Sequence, residues 1–163
     1  MKMTRILGVT GHRPHKLPAN RPRLLQFASA MIKLHAPEHV LTGMALGWDM
    51  IIAEACRRLG VSFDAYVPGH GQQSRWEHGD VEQYYFLLSK ASNVVHVTSG
   101  PCDDVAYELR NRRLVDDCTE LAAFWDGSLG GTANCVRYAV HVGRKYNNWY
   151  TDWKDFGTEK PRE

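Results

Sequence analysis

The stretch HVLTGMALGWDMIIAEACRRLG, residues 39–60, places a strand, a glycine-rich turn and a helix in direct succession. Residues 39–42 form a short apolar run that Gly43 ends, which is typical of a buried strand. Residues 48–59 then carry apolar side chains at helical spacing up to Gly60. We therefore predict one strand–helix unit here, with the strand over 39–42 and the helix over 48–59.

The same succession of strand and helix recurs along the chain. Further strands are predicted over residues 5–10, 61–67, 93–98 and 121–125, and further helices over residues 21–35, 81–91, 105–115 and 132–144. Strands that are apolar on both faces indicate a parallel sheet covered by helices on each side. We predict an α/β fold, a three-layer, Rossmann-like parallel sheet flanked by helices on both faces.

This sheet is expected to form a single domain over residues 1–145. Residues 146–163 are polar and aromatic, and we expect them to form a C-terminal extension. The extension is predicted to contain a short strand around residues 148–153 and then a frayed end.

Composition excludes several classes of protein. The chain has 163 residues, of which 44% are hydrophobic and 23% charged, as in globular domains and unlike disordered or fibrous chains. No apolar run approaches the ~20 residues that a membrane span needs. The N-terminus shows no signal-peptide pattern, and the four cysteines form no C-x-x-C motif. We expect a cytoplasmic protein with reduced thiols and no membrane contact.

Charge is distributed unevenly along the sequence. Residues 1–37 carry seven Lys or Arg and no acidic residue, whereas the remaining 126 residues carry 13 basic and 18 acidic residues, a net charge of −5. This asymmetry favours an anionic ligand near the N-terminal unit. A solvated helix face with a loose terminus is the alternative interpretation. Long basic tails are missing, so nucleic acid is not indicated as a partner.

The segments that follow the predicted strands are the expected ligand sites, because ligands of open α/β sheets bind beyond the carboxyl ends of the strands. Three of these segments are glycine-rich turns that lead into helices. Glycine lets main-chain N–H groups approach an anion, and a helix N-terminus adds about half a positive charge. Alternatively, the glycines only form tight turns.

We predict ligand-binding residues in these turns, in the segment after residues 61–67, and on the helix over 105–115. They are Thr10, Gly11, His12, Arg13, Gly43, Met44, Ala45, Gly47, Asp49, Gln72, Trp76, Arg110, Gly127, Ser128, Gly130, Gly131, Thr132 and Asn134.

Several cofactor motifs are missing. The sequence contains neither G-x-x-x-x-G-K-[ST] nor G-x-G-x-x-G, so neither a P-loop nor a standard dinucleotide fingerprint is supported. His12 and His15 have the spacing of metal ligands, but no third ligand lies at a characteristic distance. We expect no metal and no cofactor.

Three charged residues are catalytic candidates. Asp126 ends a predicted strand at the ligand edge, where it suits either a ribose or water contact or a turn. Glu108 and Arg112 stand four residues apart on one helix and fit either a surface ion pair or a role at a phosphate. Asp49 stands where a helix-capping residue belongs, which is the alternative to its role as a ligand contact.

Five motifs occur in one order along the chain. They are VTGHRP (9–14), TGMALGWD (42–49), PGHGQ (68–72) with Trp76, RNR (110–112) with Asp116, and WDG with GGTAN (125–134). With these motifs, residues 5–145 resemble the SLOG superfamily, and specifically its YpsA-like branch of bacteria and phages. The resemblance implies a Rossmann-like fold related to the LOG phosphoribohydrolases and to the DNA-processing protein DprA.

The resemblance also implies a ligand: a nucleotide, NAD-derived or ADP-ribose-like molecule bound by a homo-oligomer, dimeric or higher. Recognition of its phosphate or ribose is carried over to Gly11, His12, Arg13, Gly43, Gly130, Gly131 and Thr132. Arg110 or Arg112 matches the catalytic arginine of the hydrolase relatives.

Asn134 departs from the pattern of those hydrolases, which have a glutamate at this position. An amide cannot act as a general base, so LOG-type hydrolysis is put in doubt. We expect a nucleotide-binding protein that senses or sequesters its ligand. Hydrolysis of the N-glycosidic bond of nucleoside monophosphates is the alternative, with Asp126 or Glu108 as carboxylate, and a DprA-like module for single-stranded DNA is a third hypothesis.

Overall fold

A computed structural model describes residues 4–156 of the chain. Its strands are β1 (Ile6–Gly11), β2 (His39–Thr42), β3 (Phe63–Val67), β4 (Asn93–His96), β5 (Glu120–Phe124) and β6 (Lys145–Asn148). Its helices are α1 (Arg21–His35), α2 (Trp48–Leu59), α3 (His78–Lys90), α4 (Asp104–Asp117), α5 (Gly131–His141) and α6 (Tyr150–Phe156), and a single 3-10 turn (Pro14–Lys16) follows β1.

The strands form one sheet in the order β4-β3-β2-β1-β5-β6, and every neighbouring pair is parallel. The predicted α/β, Rossmann-like fold is confirmed. The chain adds strands on one side of β1 up to β4 and then returns to the other side with β5. The direction of winding therefore changes between β1 and β5, and a crevice is expected at the carboxyl ends of these two strands.

Local signals at the helix ends explain several boundaries. The Asn20 side chain accepts a hydrogen bond from the Arg23 N–H and begins α1, and Asp103 does the same for the Ala106 N–H at the start of α4. Gly60 ends α2 with a φ of 71°, in the left-handed region that glycine adopts without strain. The helix over 21–35 was predicted from its apolar spacing, and the end of the helix over 48–59 was predicted from Gly60.

The C-terminal segment differs from its prediction. The strand lies at Lys145–Asn148 rather than around 148–153, and a helix follows it. The Asn148 side chain bonds both main-chain groups of Trp125 and also accepts the Tyr150 N–H, so it ends the strand and begins α6. Trp149 and Trp153 then pack on the core at helical spacing. The predicted frayed end, 157–163, lies outside the described residues.

Two apolar clusters cover the two faces of the sheet. One contains side chains of α1, α2 and α3, with those of α6 packed against it, and the other contains side chains of α4 and α5. Within residues 4–156, no helix combines the length and the apolar character that crossing a bilayer requires.

Trp48 joins the ends of β1 and β5 to the start of α2. Its indole is fully buried and stacks on Phe124 with ring centroids 4.5 Å apart. Its main-chain N–H donates to the His12 carbonyl oxygen at 3.1 Å. A Cβ atom at Gly11 would overlap the indole ring, so glycine is required at the end of β1.

We expect Gly11→Ala to lower the free energy of unfolding by about 1–3 kcal/mol, because the added methyl group overpacks the Trp48 contact. Urea denaturation followed by circular dichroism measures the loss. Gly79→Ala, in open space on α3, is the matched control and leaves stability unchanged or higher. Equal midpoints for the two variants would contradict the role given to Gly11.

Candidate functional site

A cavity of about 1160 Å³ opens at the carboxyl edge of the sheet, between α4 and α5. The turns after β1, β2 and β5 all contribute to it. The predicted residues that line it are Thr10, Gly11, His12, Arg13, Ala45, Asp49, Glu108, Arg110, Arg112, Ser128, Gly130, Gly131, Thr132 and Asn134. Most of the predicted site is thereby brought together in one place.

The N-terminus of α5 faces this cavity without a cap. Gly130 is the N-cap residue and has no side chain to satisfy the first N–H groups, and the first turn contains no acidic residue. Each of the other four helices longer than ten residues in the described chain has a capping side chain or a first-turn acid. A Cβ at Gly131 would meet no atom within 4 Å, so the main chain is open to an approaching anion.

Basic side chains stand around the same helix end. The Lys16 Nζ donates to the Ser128 Oγ at 2.8 Å and to the Leu129 carbonyl oxygen at 3.0 Å, which ties the loop before α5 to the loop after β1. The Arg13 guanidinium lies 5.4 Å from the centre of the Tyr107 ring on α4. Arg13 forms no ion pair within residues 4–156, so its charge is available to a ligand.

His12 and Asp126 form a contact that connects the ends of β1 and β5. The His12 Nε2 lies 2.9 Å from an Asp126 carboxylate oxygen, which also accepts the Ser128 N–H. Hydrogen bonds from Ser128, aided by His12, lower the pKa of Asp126 to about 2. Burial lowers the pKa of His12 despite Asp126. At neutral pH His12 is therefore uncharged. Asp126 is an ionised carboxylate that holds the loop before α5 through Ser128. Asp126 lies outside the cavity lining.

Arg110 extends from α4 into the base of the cavity. Its Nη1 donates to the carbonyl oxygens of Gly43 at 2.6 Å and Tyr66 at 3.3 Å, and only 6% of the residue is exposed. A Cβ at Gly43 would overlap the guanidinium. Gly43 is therefore a glycine that makes room for Arg110, and its carbonyl, rather than its N–H, is the group in use.

Asp49 lies beside Arg110, in the first turn of α2. Its carboxylate accepts the Ala45 N–H at 3.3 Å and is buried. Burial raises the pKa of Asp49 to about 6, although the charges of Arg110 and Arg13 oppose the increase. Asp49 is thus a carboxyl in the cavity lining that changes protonation near neutral pH.

Other predicted residues lie outside the cavity lining. Met44 is fully buried in the core, and Trp76 packs edge-on against Tyr84. The Gln72 amide donates to the Gly43 carbonyl oxygen and accepts the Tyr84 hydroxyl. Gln72 thus contacts the turn after β2 directly, and Trp76 packs on the Tyr84 ring that holds Gln72.

Gly47 and Gly127 also lie outside the lining and serve the turns. Gly47 has a φ of 97°, and a Cβ there would stand 2.6 Å from the His12 carbonyl oxygen. Gly127 has a φ of 91° and forms the bend between β5 and α5. Both positions need the left-handed backbone that glycine permits.

The structure adds lining residues that were not among the predicted ligand contacts. They are His15, Lys16, Asp104, Tyr107, Asn111, Leu129, Ala133, Arg137, Tyr138 and His141. The added residues of α4 are three and four positions apart, and those of α5 fall at positions 133, 137–138 and 141, so they form one face of each helix. A search for polar helix faces next to the glycine-rich turn would have found them.

Comparisons with known proteins give the fold but no family by sequence. No protein-family model and no curated protein matches the chain. Among solved structures, DprA from Streptococcus pneumoniae superimposes with a TM-score of 0.65 at 14% identity, over 89% of this chain and 50% of that one. The chain therefore spans half the length of that protein.

Two further solved structures also superimpose on this chain. DprA from Helicobacter pylori gives a TM-score of 0.66 at 13% identity, over 96% of this chain and 74% of that one. The molybdenum cofactor carrier protein of Chlamydomonas reinhardtii gives 0.58 at 16% identity, over 94% and 83%. This chain shares its parallel, Rossmann-like fold with these proteins. Within residues 4–156, no three His, Cys, Asp or Glu side chains are grouped as metal ligands.

The raised pKa of Asp49 predicts a pH dependence of stability. The folded state holds this proton more tightly than the unfolded chain, whose carboxyl titrates near its ordinary value of 3.8. The contribution of this proton to the free energy of unfolding is therefore complete below pH 4 and is lost as the pH rises to about 6. At about 1.4 kcal/mol per pKa unit, the loss is on the order of 2–3 kcal/mol. Urea denaturation of wild type and Asp49→Asn between pH 4 and 7 measures it. The variant loses less stability over this range, and parallel curves would contradict the assignment.

Proposed function

We propose that the protein binds a nucleotide or a nucleotide-derived molecule through its phosphate or phosphoribose group. The site is the cavity between α4 and α5, and the role is that of a sensor or a sequestering protein of the YpsA-like branch of SLOG proteins. One observation carries the proposal: the uncapped N-terminus of α5 opens into the same cavity as the guanidinium of Arg13, which forms no ion pair within residues 4–156.

The chemistry of this helix end suits a phosphate. The first N–H groups of a helix have no partner within the helix, and an anion placed there gains typically 0.3–1 kcal/mol from the helix dipole at exposed sites and up to about 2 kcal/mol where it is partly buried. Arg13 adds charge-assisted hydrogen bonds, which are stronger than neutral ones. Thr132, buried in the first turn of α5, offers a hydroxyl to the same anion.

The length of the cavity supports a ligand larger than a mononucleotide. Its lining continues along α5 from Gly131 to His141, about 15 Å at 1.5 Å per residue. Arg137 lies on this wall and forms no ion pair within residues 4–156. A second phosphate, as in an NAD-derived or ADP-ribose-like molecule, would meet Arg137, and Tyr107 and Tyr138 offer rings to a base.

Binding without turnover agrees with the carboxylates that are present. Asn134 lines the cavity where the hydrolase relatives have glutamate. Asp126, with a pKa of about 2 and a carboxylate oxygen engaged by His12 and Ser128, is too weak a base for proton abstraction near neutral pH. The molybdenum cofactor carrier protein among the structural neighbours is named for holding a small molecule, which supports a carrier-like role. The proposal includes the cytoplasmic location expected from the cysteine pattern and the homo-oligomeric state that the family resemblance implies.

Hydrolysis of N-glycosidic bonds is a second candidate. Glu108 and Arg112 stand side by side on the cavity wall, with 2.8 Å between carboxylate and guanidinium. This pair supplies a carboxylate and an arginine to one wall of the site, the two residue types that the hydrolase relatives use.

Isothermal titration of the protein with AMP, ADP-ribose and NAD⁺ tests the proposal. Wild type shows saturable binding, Arg13→Ala weakens it at least tenfold, and Gly131→Asp abolishes it because the new carboxylate repels the phosphate. An acidic residue in the first turn stabilises a helix, so Gly131→Asp stays folded. Gly79→Asp on α3 and Arg75→Ala, both exposed and outside the cavity, are matched controls that leave binding intact.

Absence of binding across the three nucleotides, or equal binding by Gly131→Asp, would overturn the proposal. Release of free base from AMP that Glu108→Gln stops would assign the hydrolase. Binding of single-stranded DNA that weakens steeply with salt would assign a DNA-binding module instead.

A further inference from the structure

The base of the cavity contains a carboxylate oxygen with no partner. Asp49 is 6% exposed, and its Oδ2 accepts the Ala45 N–H. Its Oδ1 is buried and accepts no hydrogen bond from any residue in the described range 4–156. Native structures rarely leave a buried carboxylate oxygen without a donor, because no hydrogen bond then compensates the free energy of hydration that the oxygen loses on burial.

Neighbouring cations attract this carboxylate without satisfying the oxygen. Arg110 lowers the cost of the negative charge, but its Nη1 donates to the carbonyl oxygens of Gly43 and Tyr66 and its Nε to the Asn111 side chain. The attraction therefore comes from charge rather than from a hydrogen bond. Oδ1 therefore lacks a donor within residues 4–156, and the residue that carries it is part of the cavity lining.

We propose that Oδ1 of Asp49 accepts a hydrogen bond from a ribose hydroxyl of the ligand whose phosphate lies at the N-terminus of α5. This inference rests on the proposed function and assigns the substrate class: phosphorylated ribose, in preference to deoxyribose and to free phosphate. A carboxylate that accepts a sugar hydroxyl is the usual way in which α/β folds recognise ribose. Since Oδ1 is the one carboxylate oxygen of Asp49 without a donor among residues 4–156, one hydroxyl is recognised.

The ionised form of Asp49 is the form that accepts the hydroxyl, so selectivity follows pH. The groups that face it are Arg110 from α4, Arg13 from the loop after β1 and Cys135 from α5. Burial raises the pKa of Cys135 to about 12, so the thiol stays neutral. His12, also in the lining, has a lowered pKa and gains charge only in acid. Preference for ribose over deoxyribose therefore increases as the pH rises through about 6.

The test compares AMP, 2′-deoxy-AMP, 3′-deoxy-AMP and inorganic phosphate by isothermal titration at pH 5 and pH 7.5. For wild type at pH 7.5, AMP binds at least tenfold more tightly than one of the two deoxy analogues and than inorganic phosphate. At pH 5 the ratio between AMP and that analogue falls towards one. Both nucleotides carry the same phosphate group. The titration of that phosphate therefore changes both affinities equally and cancels in their ratio.

Asp49→Asn supplies the second comparison. The amide still accepts the Ala45 N–H through its oxygen but presents an NH₂ group where Oδ1 stood, so the AMP preference disappears at both pH values.

Equal affinities of wild type for AMP and for both deoxy analogues at pH 7.5 would overturn the inference, with no variant needed. Phosphate binding that Gly131→Asp still removes would then leave the anion site of the proposed function standing. Failure of wild type to bind phosphate or any of these nucleotides would overturn both.

Discussion

The contact between Trp48 and Gly11 is the constraint on which the rest of the structure depends. The indole fills the space that a side chain at Gly11 would take, stacks on Phe124 at the end of β5, and begins α2. The hydrogen bond from its main-chain N–H to the His12 carbonyl oxygen fixes the position of the turn after β1 relative to α2. Three turns distant in sequence are therefore held at one point of the sheet edge by a single buried side chain.

The glycines around this point have two different functions. Gly11, Gly43 and Gly47 are glycines because Trp48, Arg110 and the His12 carbonyl oxygen leave no space for a side chain. Gly130 and Gly131 have open space in front of them and precede an uncapped helix. Only the second group has the exposed N–H groups that anion binding uses, so the proposed phosphate position lies at α5 rather than at all three turns.

Much of the architecture was predictable from the sequence, because periodicity and capping are local. The bounds of α1, α2 and β2, and the convergence of the turns at one edge, follow from apolar spacing and from the geometry of parallel sheets. The direction of individual side chains did not follow, since it depends on distant partners. Met44 and Trp76 turn towards the core, and Arg137 joins the cavity only because α4 packs beside α5. The position of β6 depends on the bonds between Asn148 and Trp125, which no local pattern reveals.

A titration of ¹⁵N-labelled protein with ADP-ribose, followed through the main-chain amide signals, tests the anion site at α5 most directly. We expect the largest chemical-shift changes at Gly131, Thr132 and Ala133, with smaller changes along the α4 and α5 walls and none in the α1–α2 surface. Saturable shifts confined to another part of the molecule, with the amides at the start of α5 unmoved, would contradict it.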